Sequence, residues 1–363
     1  MKYHCMYYNR MHRLAFVYTG AAAFFLICSS HLVTSLSSPP SYQHAQQHVI
    51  PLDQPLFDAI SNFEIEVDAT RVFHGRGHMY PGCEHLTLDY FPPVWLLTSY
   101  NKDIGDDELQ RYGEALANKW EASREGEELN WIYQYRSTSS ETGLTKNVLM
   151  AGSIPDPHII EERGNKFLVH LSKGQNHGIF LDMLEGRSWV QEMSKNKRVL
   201  NLFSYTCAFS VAAIKGGARE VLNIDMSKGA LKVGQRNHEL NNASSKARFL
   251  SHNIFKSWGK IKRESPYDII IVDPPTNQKG SFVAEKDYIK ICKRLPSLME
   301  NDGFALLCLN ATSLSTSFLR EQVNEVAPEL TYINRLENPK SFPAEDDEKS
   351  LKVLLYQLKK DLT

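Results

Sequence analysis

Five short polar segments, each following an apolar run, hold the side chains best placed to do chemistry. They are Ser204-Tyr205-Thr206, Asp225-Met226, His252-Asn253, Asp273-Pro274-Pro275-Thr276 and Asn310-Ala311-Thr312. Asp225 lies about 20 residues beyond the first turn, where a carboxylate can accept hydrogen bonds from ribose hydroxyls. Capping of the following helix is the alternative role for it. The first turn carries neither a GxGxxG nor a Walker pattern, so neither NAD nor ATP is indicated. Cys5, Cys28, Cys83, Cys207, Cys292 and Cys308 are scattered and form no CxxC pair. This spacing suits neither a zinc site nor a disulfide framework, and it reads as free thiols in a reducing compartment.

The elements that must present these segments follow a regular rhythm from about residue 195. Apolar strands are expected over 198–203, 220–224, 248–250, 268–272, 305–309, 330–335 and 351–358. Between them the pattern predicts helices over 209–215, 229–240, 284–300 and 316–326. Continuous apolar strands alternating with helices imply a parallel sheet covered on both faces, a doubly wound seven-stranded α/β domain. In such sheets ligands bind beyond the carboxyl ends of the strands. Upstream, Val94–Tyr100 reads as a strand preceded by Pro92-Pro93, and Trp131–Tyr135 as another. Asp106 is the expected N-cap of a helix whose apolar face is Leu109, Tyr112, Leu116 and Trp120. These make a smaller α+β domain over 46–150, with the main domain over 151–363.

With 41 Lys+Arg against 42 Asp+Glu and 42% hydrophobic residues, the composition is that of a globular protein and excludes disordered, fibrous and polytopic membrane classes. The first 45 residues differ in kind. Lys2, Arg10 and Arg13 precede an apolar run from Leu14 to Cys28, Ser/Pro-rich sequence follows, and no acidic residue occurs before Asp53. This is the pattern of a targeting leader, pointing to a plastid or mitochondrion, with a membrane anchor or secretory signal as the alternative. Without those cations the chain is mildly acidic.

The ordered set Asn201-Leu202-Phe203-Ser204-Tyr205-Thr206, Gly216-Gly217-Ala218, Asp225-Met226-Ser227 and Asp273-Pro274-Pro275-Thr276 resembles the class I S-adenosylmethionine-dependent methyltransferases. More narrowly, it resembles the family holding the bacterial 23S rRNA methyltransferases of cytosine C5 and guanine N7. Gly178-Ile179-Phe180-Leu181-Asp182 and Phe342-Pro343 through Lys352 match segments of that family, and the resemblance covers about 160–358. Phe73-His74-Gly75-Arg76-Gly77-His78 resembles further members. The resemblance implies a Rossmann-like sheet and S-adenosylmethionine as cofactor. It implies that Phe203, Ser204, Tyr205 and Thr206 line the methionine portion, that Asp225 and Met226 lie at the ribose, and that Asn253 lies at the adenine. Asp273, Pro274 and Pro275 would then form the methyl-transfer point, the prolines rigidifying the loop.

The departures sharpen the expectation. The family's glycine after Tyr-Thr is Cys207 here, and its usual Asp at the adenine loop is Asn253. Methylation at cytosine C5 needs a thiolate that adds to C6, yet the family's thiol position after the fifth strand holds Ala311, and the position another class of such enzymes uses, after Asp-Pro-Pro, holds Thr276. Cys308 lies inside an apolar strand and reads as a small buried hydrophobe. Direct transfer to a nitrogen lone pair of guanine is therefore expected, with Asp273 and Asn310 orienting the base; a helix cap is the other role open to Asn310. An RNA acceptor, ribosomal by resemblance, and no metal are expected. Lys256, Lys260, Lys262 and Arg263 could meet phosphates or form a solvated face. The His74–His78 loop is expected as a mobile, nucleotide-facing segment with Tyr80 as stacker, or as a plain hairpin turn. A protein or small-molecule methyltransferase and a non-catalytic cofactor-fold protein are the competing classes.

Overall fold

A computed structural model describes residues 51–137, 144–278 and 281–359. The expected leader over 1–45 lies outside the described residues, as do Cys5 and Cys28. Helix α1 (Gln54–Asn62) precedes a five-stranded sheet of β1 (Thr70–His74), β2 (Leu86–Phe91), β3 (Val94–Tyr100), β4 (Asn130–Arg136) and β5 (Thr145–Ala151), side by side in chain order. Only β3 and β4 run parallel, because helix α2 (Asp106–Ser123) makes the crossover between them. Leu109, Tyr112, Leu116 and Trp120 are its buried face, as the 3.6-residue spacing predicts. Its N-cap is Gly105, not Asp106, which sits in the first turn with Asp107 and Glu108 against the helix dipole. The pair β6 (His158–Glu162) and β7 (Asn165–Val169) packs Ile160, Phe167 and Val169 against Phe91, Val94, Leu96 and Ile132 of the first sheet.

The second sheet holds seven strands. In chain order the elements are α3 (Leu184–Met193), β8 (Arg198–Leu202), α4 (Ala208–Lys215), β9 (Glu220–Asp225), α5 (Lys228–Leu240), β10 (Ala247–Ser251), α6 (Trp258–Arg263) and β11 (Tyr267–Val272). There follow the small hairpin β12 (Asn277–Gln278) and β13 (Phe282–Val283), α7 (Ala284–Cys292), β14 (Met299–Leu309), α8 (Thr316–Val326), β15 (Leu330–Leu336) and β16 (Lys352–Leu358). The spatial order is β10-β9-β8-β11-β14-β16-β15; β16 alone runs against the rest, inserted antiparallel between β14 and β15. All seven expected strands are present. The expected helix over 284–300 is not: α7 stops at Cys292, and β14 begins at Met299. Pro296 removes an amide donor and disfavours helical geometry before it, which ends the α-helix despite apolar residues at helical spacing.

Both faces of this sheet are dry. Val199, Val221, Ile269, Ile271 and Leu306 pack with α3 and α4 on one face. Leu200, Leu222, Ile270, Val272 and Leu307 pack with α6, α7 and α8 on the other. Each fully buried aliphatic side chain contributes about 1.5–3 kcal/mol. One polar chain crosses the core: Asn201 Nδ2 donates to Asn223 Oδ1 (2.9 Å), Asn223 Nδ2 donates to Ser210 Oγ (2.9 Å), and Ser210 Oγ meets His238 Nε2 (2.8 Å). Among the described residues, no helix is long and apolar enough to cross a membrane, and no cluster of three or more ligating side chains could hold a metal.

Candidate active site

The chain leaves β8 toward β9 and β10, then crosses to β11 on the opposite side of β8. This reversal opens a crevice between the ends of β8 and β11. A cavity of about 370 Å³ occupies it, lined among others by Phe203, Ser204, Tyr205, Thr206, Asp225, Met226, Asn253, Asp273, Pro274, Pro275 and Asn310. Every site residue expected from the sequence is in that wall.

The first loop is held in an uncommon backbone. Phe203, Tyr205 and Cys207 all take left-handed φ values, 57°, 46° and 64°, a conformation that costs a non-glycine residue about 1–3 kcal/mol. The surroundings fix it: Tyr205 N donates to Asp225 Oδ2 (2.9 Å) and Thr206 Oγ1 to the Gly178 carbonyl (2.5 Å). Asp225 Oδ1 accepts from Ser227 N (2.8 Å), while Ser227 Oγ itself caps α5 through Ala230 N (3.1 Å). The cap is thus Ser227, and Asp225 keeps its remaining lone pairs for the cavity. The Ser204 hydroxyl is buried with no protein partner, which costs about 1–3 kcal/mol unless a ligand satisfies it. Asn253 Oδ1 accepts from Phe255 N (2.9 Å), so the amide nitrogen is its remaining donor. An unpartnered hydroxyl, a carboxylate and an amide along one wall fit a ligand with a charged end and a nucleoside end.

Cys207 does not enter this cavity. Its Sγ lies against α5, where a Cβ at Gly234 would come within 2.6 Å of it. Burial pushes its thiol well above the usual range. Cys308 is buried in β14, at 1% exposure, and burial again raises its thiol. No residue lining the cavity is a cysteine.

The other end of the cavity is acidic. Burial, and then the neighbouring Asp182 carboxyl, push Asp273 up to about 7. Burial raises Asp182 as well. Arg187 opposes both shifts while its own charge is held by Glu162, through Nε–Oε1 (2.7 Å) and a second bond of 2.5 Å. Asn310 is exposed at the end of β14 and is not a cap, since Ser315 caps α8 by accepting from Phe318 N (3.4 Å). Asp182, Arg187 and Phe180 were not among the expected site residues. Asp182 lies in the Gly178–Asp182 segment, whose match to the family was the available signal. Arg187 sits on α3, whose buried positions reveal the site only once α3 is packed beside β8.

Residues 70–357 match the family described as S-adenosylmethionine-dependent methyltransferase. The chain is 41% identical over 122 residues to the ribosomal RNA large subunit methyltransferase I of Aeromonas salmonicida, covering 33% of this chain and 31% of that protein. It is 34% identical over 180 residues to the protein of the same name from Escherichia coli O139:H28, covering 48% and 46%. The match therefore spans less than half the length of these relatives. Among solved structures, a Streptococcus mutans protein assigned as a SAM-dependent methyltransferase superposes with TM-score 0.70 at 25% identity, over 85% of this chain and 80% of that one. The same figures hold for a methyltransferase structure complexed with SAH. With the crevice at the strand reversal and the family match across both sheets, the chain belongs to the S-adenosylmethionine-dependent methyltransferases.

Proposed function

We propose that the protein methylates a nitrogen of guanine in RNA, ribosomal RNA being the acceptor named for its relatives, without a covalent cysteine intermediate. The observation that carries this reading is the wall of the cavity, where Asp182, Asp273 and Asn310 stand together and no thiol is present. Asp225 would take the ribose hydroxyls with Met226 beside it, and Asn253 would donate to the adenine. Phe203 to Thr206, with the unpartnered Ser204 hydroxyl, would hold the methionine portion. S-adenosylmethionine supplies a methyl group already activated on a positive sulfur, so the chain has to position rather than activate. Pro274 and Pro275 fix the loop that carries Asp273, and Asn310 directs its amide at the base edge. At a pKa of about 7, Asp273 accepts a hydrogen bond from a base N–H when ionised, and takes up the proton if the attacked nitrogen carried one.

Tritium from labelled S-adenosylmethionine is expected in ribosomal RNA and, after digestion, in methylguanine. Label in protein only would overturn the acceptor class. RNA containing 5-fluorocytosine traps enzymes that attack through a thiolate, so no denaturation-resistant adduct is expected. An adduct lost in Cys308→Ala or Cys207→Ala would overturn the mechanism.

A further inference from the structure

A second cavity of about 360 Å³ adjoins the first, and Phe180, Asp182 and Asn310 line both. Its outer wall comes from the five-stranded sheet, and its charge is uneven. Arg71 is fully committed: it holds Asp89 through two bonds (2.5 and 3.1 Å) and His74 Nδ1 at 2.7 Å. Arg76 and Arg136 are not. Their guanidinium carbons lie 4.0 and 5.2 Å from the centre of the Tyr100 ring. Among the described residues neither has an ion-pair partner. Arg76 stands at the exposed rim of the cavity; partial loss of water, opposed by Tyr100 and reinforced by the like charges of Arg136 and Arg71, holds it below the usual arginine range. Two cations converging on one aromatic ring make a place for an anion, and Arg is the side chain best shaped to grip phosphate.

The loop that carries Arg76 is rigidly seated. A Cβ on Gly75 would meet the Cys83 carbonyl oxygen at 1.9 Å, and one on Gly77 the Pro343 oxygen at 1.8 Å. Glu345 N donates to the Gly77 carbonyl (2.8 Å), and His74 packs on Phe342 with ring centres 5.0 Å apart. The expected mobile loop is thus pinned, and the expected stacker Tyr80 packs on Phe73 (5.0 Å) instead. Tyr100, not Tyr80, is among the rings that line the cavity.

We infer that this second cavity receives one nucleotide of single-stranded RNA, its base directed to Asp182 and Asn310 and its phosphate clamped by Arg76 and Arg136 above Tyr100. The inference rests on the RNA reading proposed above. Phe91 and Phe342 supply apolar wall for a base, and Asn338 a polar edge.

The test measures methyl transfer into bacterial ribosomal RNA by the full chain and by Arg76→Gln, Arg136→Gln and their double variant. The double variant is expected to raise KM for RNA at least tenfold, with kcat and calorimetric S-adenosylmethionine affinity within twofold of the parent. Each clamp removed should also flatten the dependence of log KM on log salt by about 0.7, a readout that a merely structural role would not move. Arg76→Lys should recover part of the loss. Should the double variant misfold, Arg76→Glu at the exposed rim carries the test and must raise KM above that of Arg76→Gln. If the parent methylates RNA and the variants keep its KM and salt slope, the clamp is wrong while the RNA reading stands. If the parent labels protein and no RNA, both are overturned.

Discussion

Asp273 has lost most of its water and shares a wall with a second carboxyl, so it stays protonated until about pH 7. Its folded pKa lies above its unfolded one, so the native state binds the extra proton. Stability from this group is full below about pH 4 and declines as pH rises to 7. Asp273→Asn should therefore be more stable than the parent at pH 8, by about 1–2 kcal/mol once its partial exposure is allowed for, and the difference should vanish near pH 4. Thermal melts across that range check it. In the methyl-transfer assay the parent's kcat should rise through a limb near pH 7, and Asp273→Asn should remove the limb while leaving cofactor affinity near that of the parent. Asp225→Ala should weaken S-adenosylmethionine binding ten- to a hundredfold by calorimetry, from loss of bonds worth about 1.5–3 kcal/mol; unchanged affinity in a folded variant would remove Asp225 from the ribose site. Asp225, Asn253, Asp273 and Asn310 were legible in the sequence because each lies at the carboxyl end of a strand or within two residues of it, where a doubly wound sheet presents its loops. Asp182 and Arg187 precede β8, and only packing brings them to the same wall.

The element most dependent on its neighbours is the turn between β8 and α4. Cys207 adopts φ 64°, a backbone that favours glycine, and its sulfur fills the space that Gly234 leaves on α5. The two positions are therefore coupled. Gly234→Ala alone should lower stability by about 1–3 kcal/mol through overpacking. Adding Cys207→Gly should recover much of that loss, because it removes both the clash and the backbone strain. Denaturant titration of the singles and the double gives the coupling energy, and strict additivity would refute the contact. Periodicity read the helices α4, α5 and α8 closely, since each has an apolar face and a stop or cap signal. It overran α7, where Leu295 and Leu298 continue the helical spacing past Cys292 and only Pro296 marks the end.

At the scale of the whole molecule, the N-terminal sheet touches the methyltransferase sheet's C-terminal segment through Gly77 and Pro343. No side chain fits between them. Gly77→Ala should part that contact, lowering the melting temperature by about 2–8 °C, and should raise KM for RNA more than it changes cofactor affinity. The sequence showed the glycines but not this partner, which lies some 266 positions downstream. A quieter constraint runs beneath the cofactor loop. Asn201 and Asn223 are directly opposed on β8 and β9, deep in an otherwise apolar sheet. Sliding β9 by two residues would keep every aliphatic side chain on its proper face, so hydrophobic burial alone cannot choose between the two alignments. The amide pair can, because a slip leaves both side chains buried and unanswered, about 1–3 kcal/mol each. The same alignment brings the Tyr205 amide to 2.9 Å from Asp225. The two asparagines thus act as a vernier: a polar notch a few residues below the site sets the reach between the methionine loop and the ribose carboxylate.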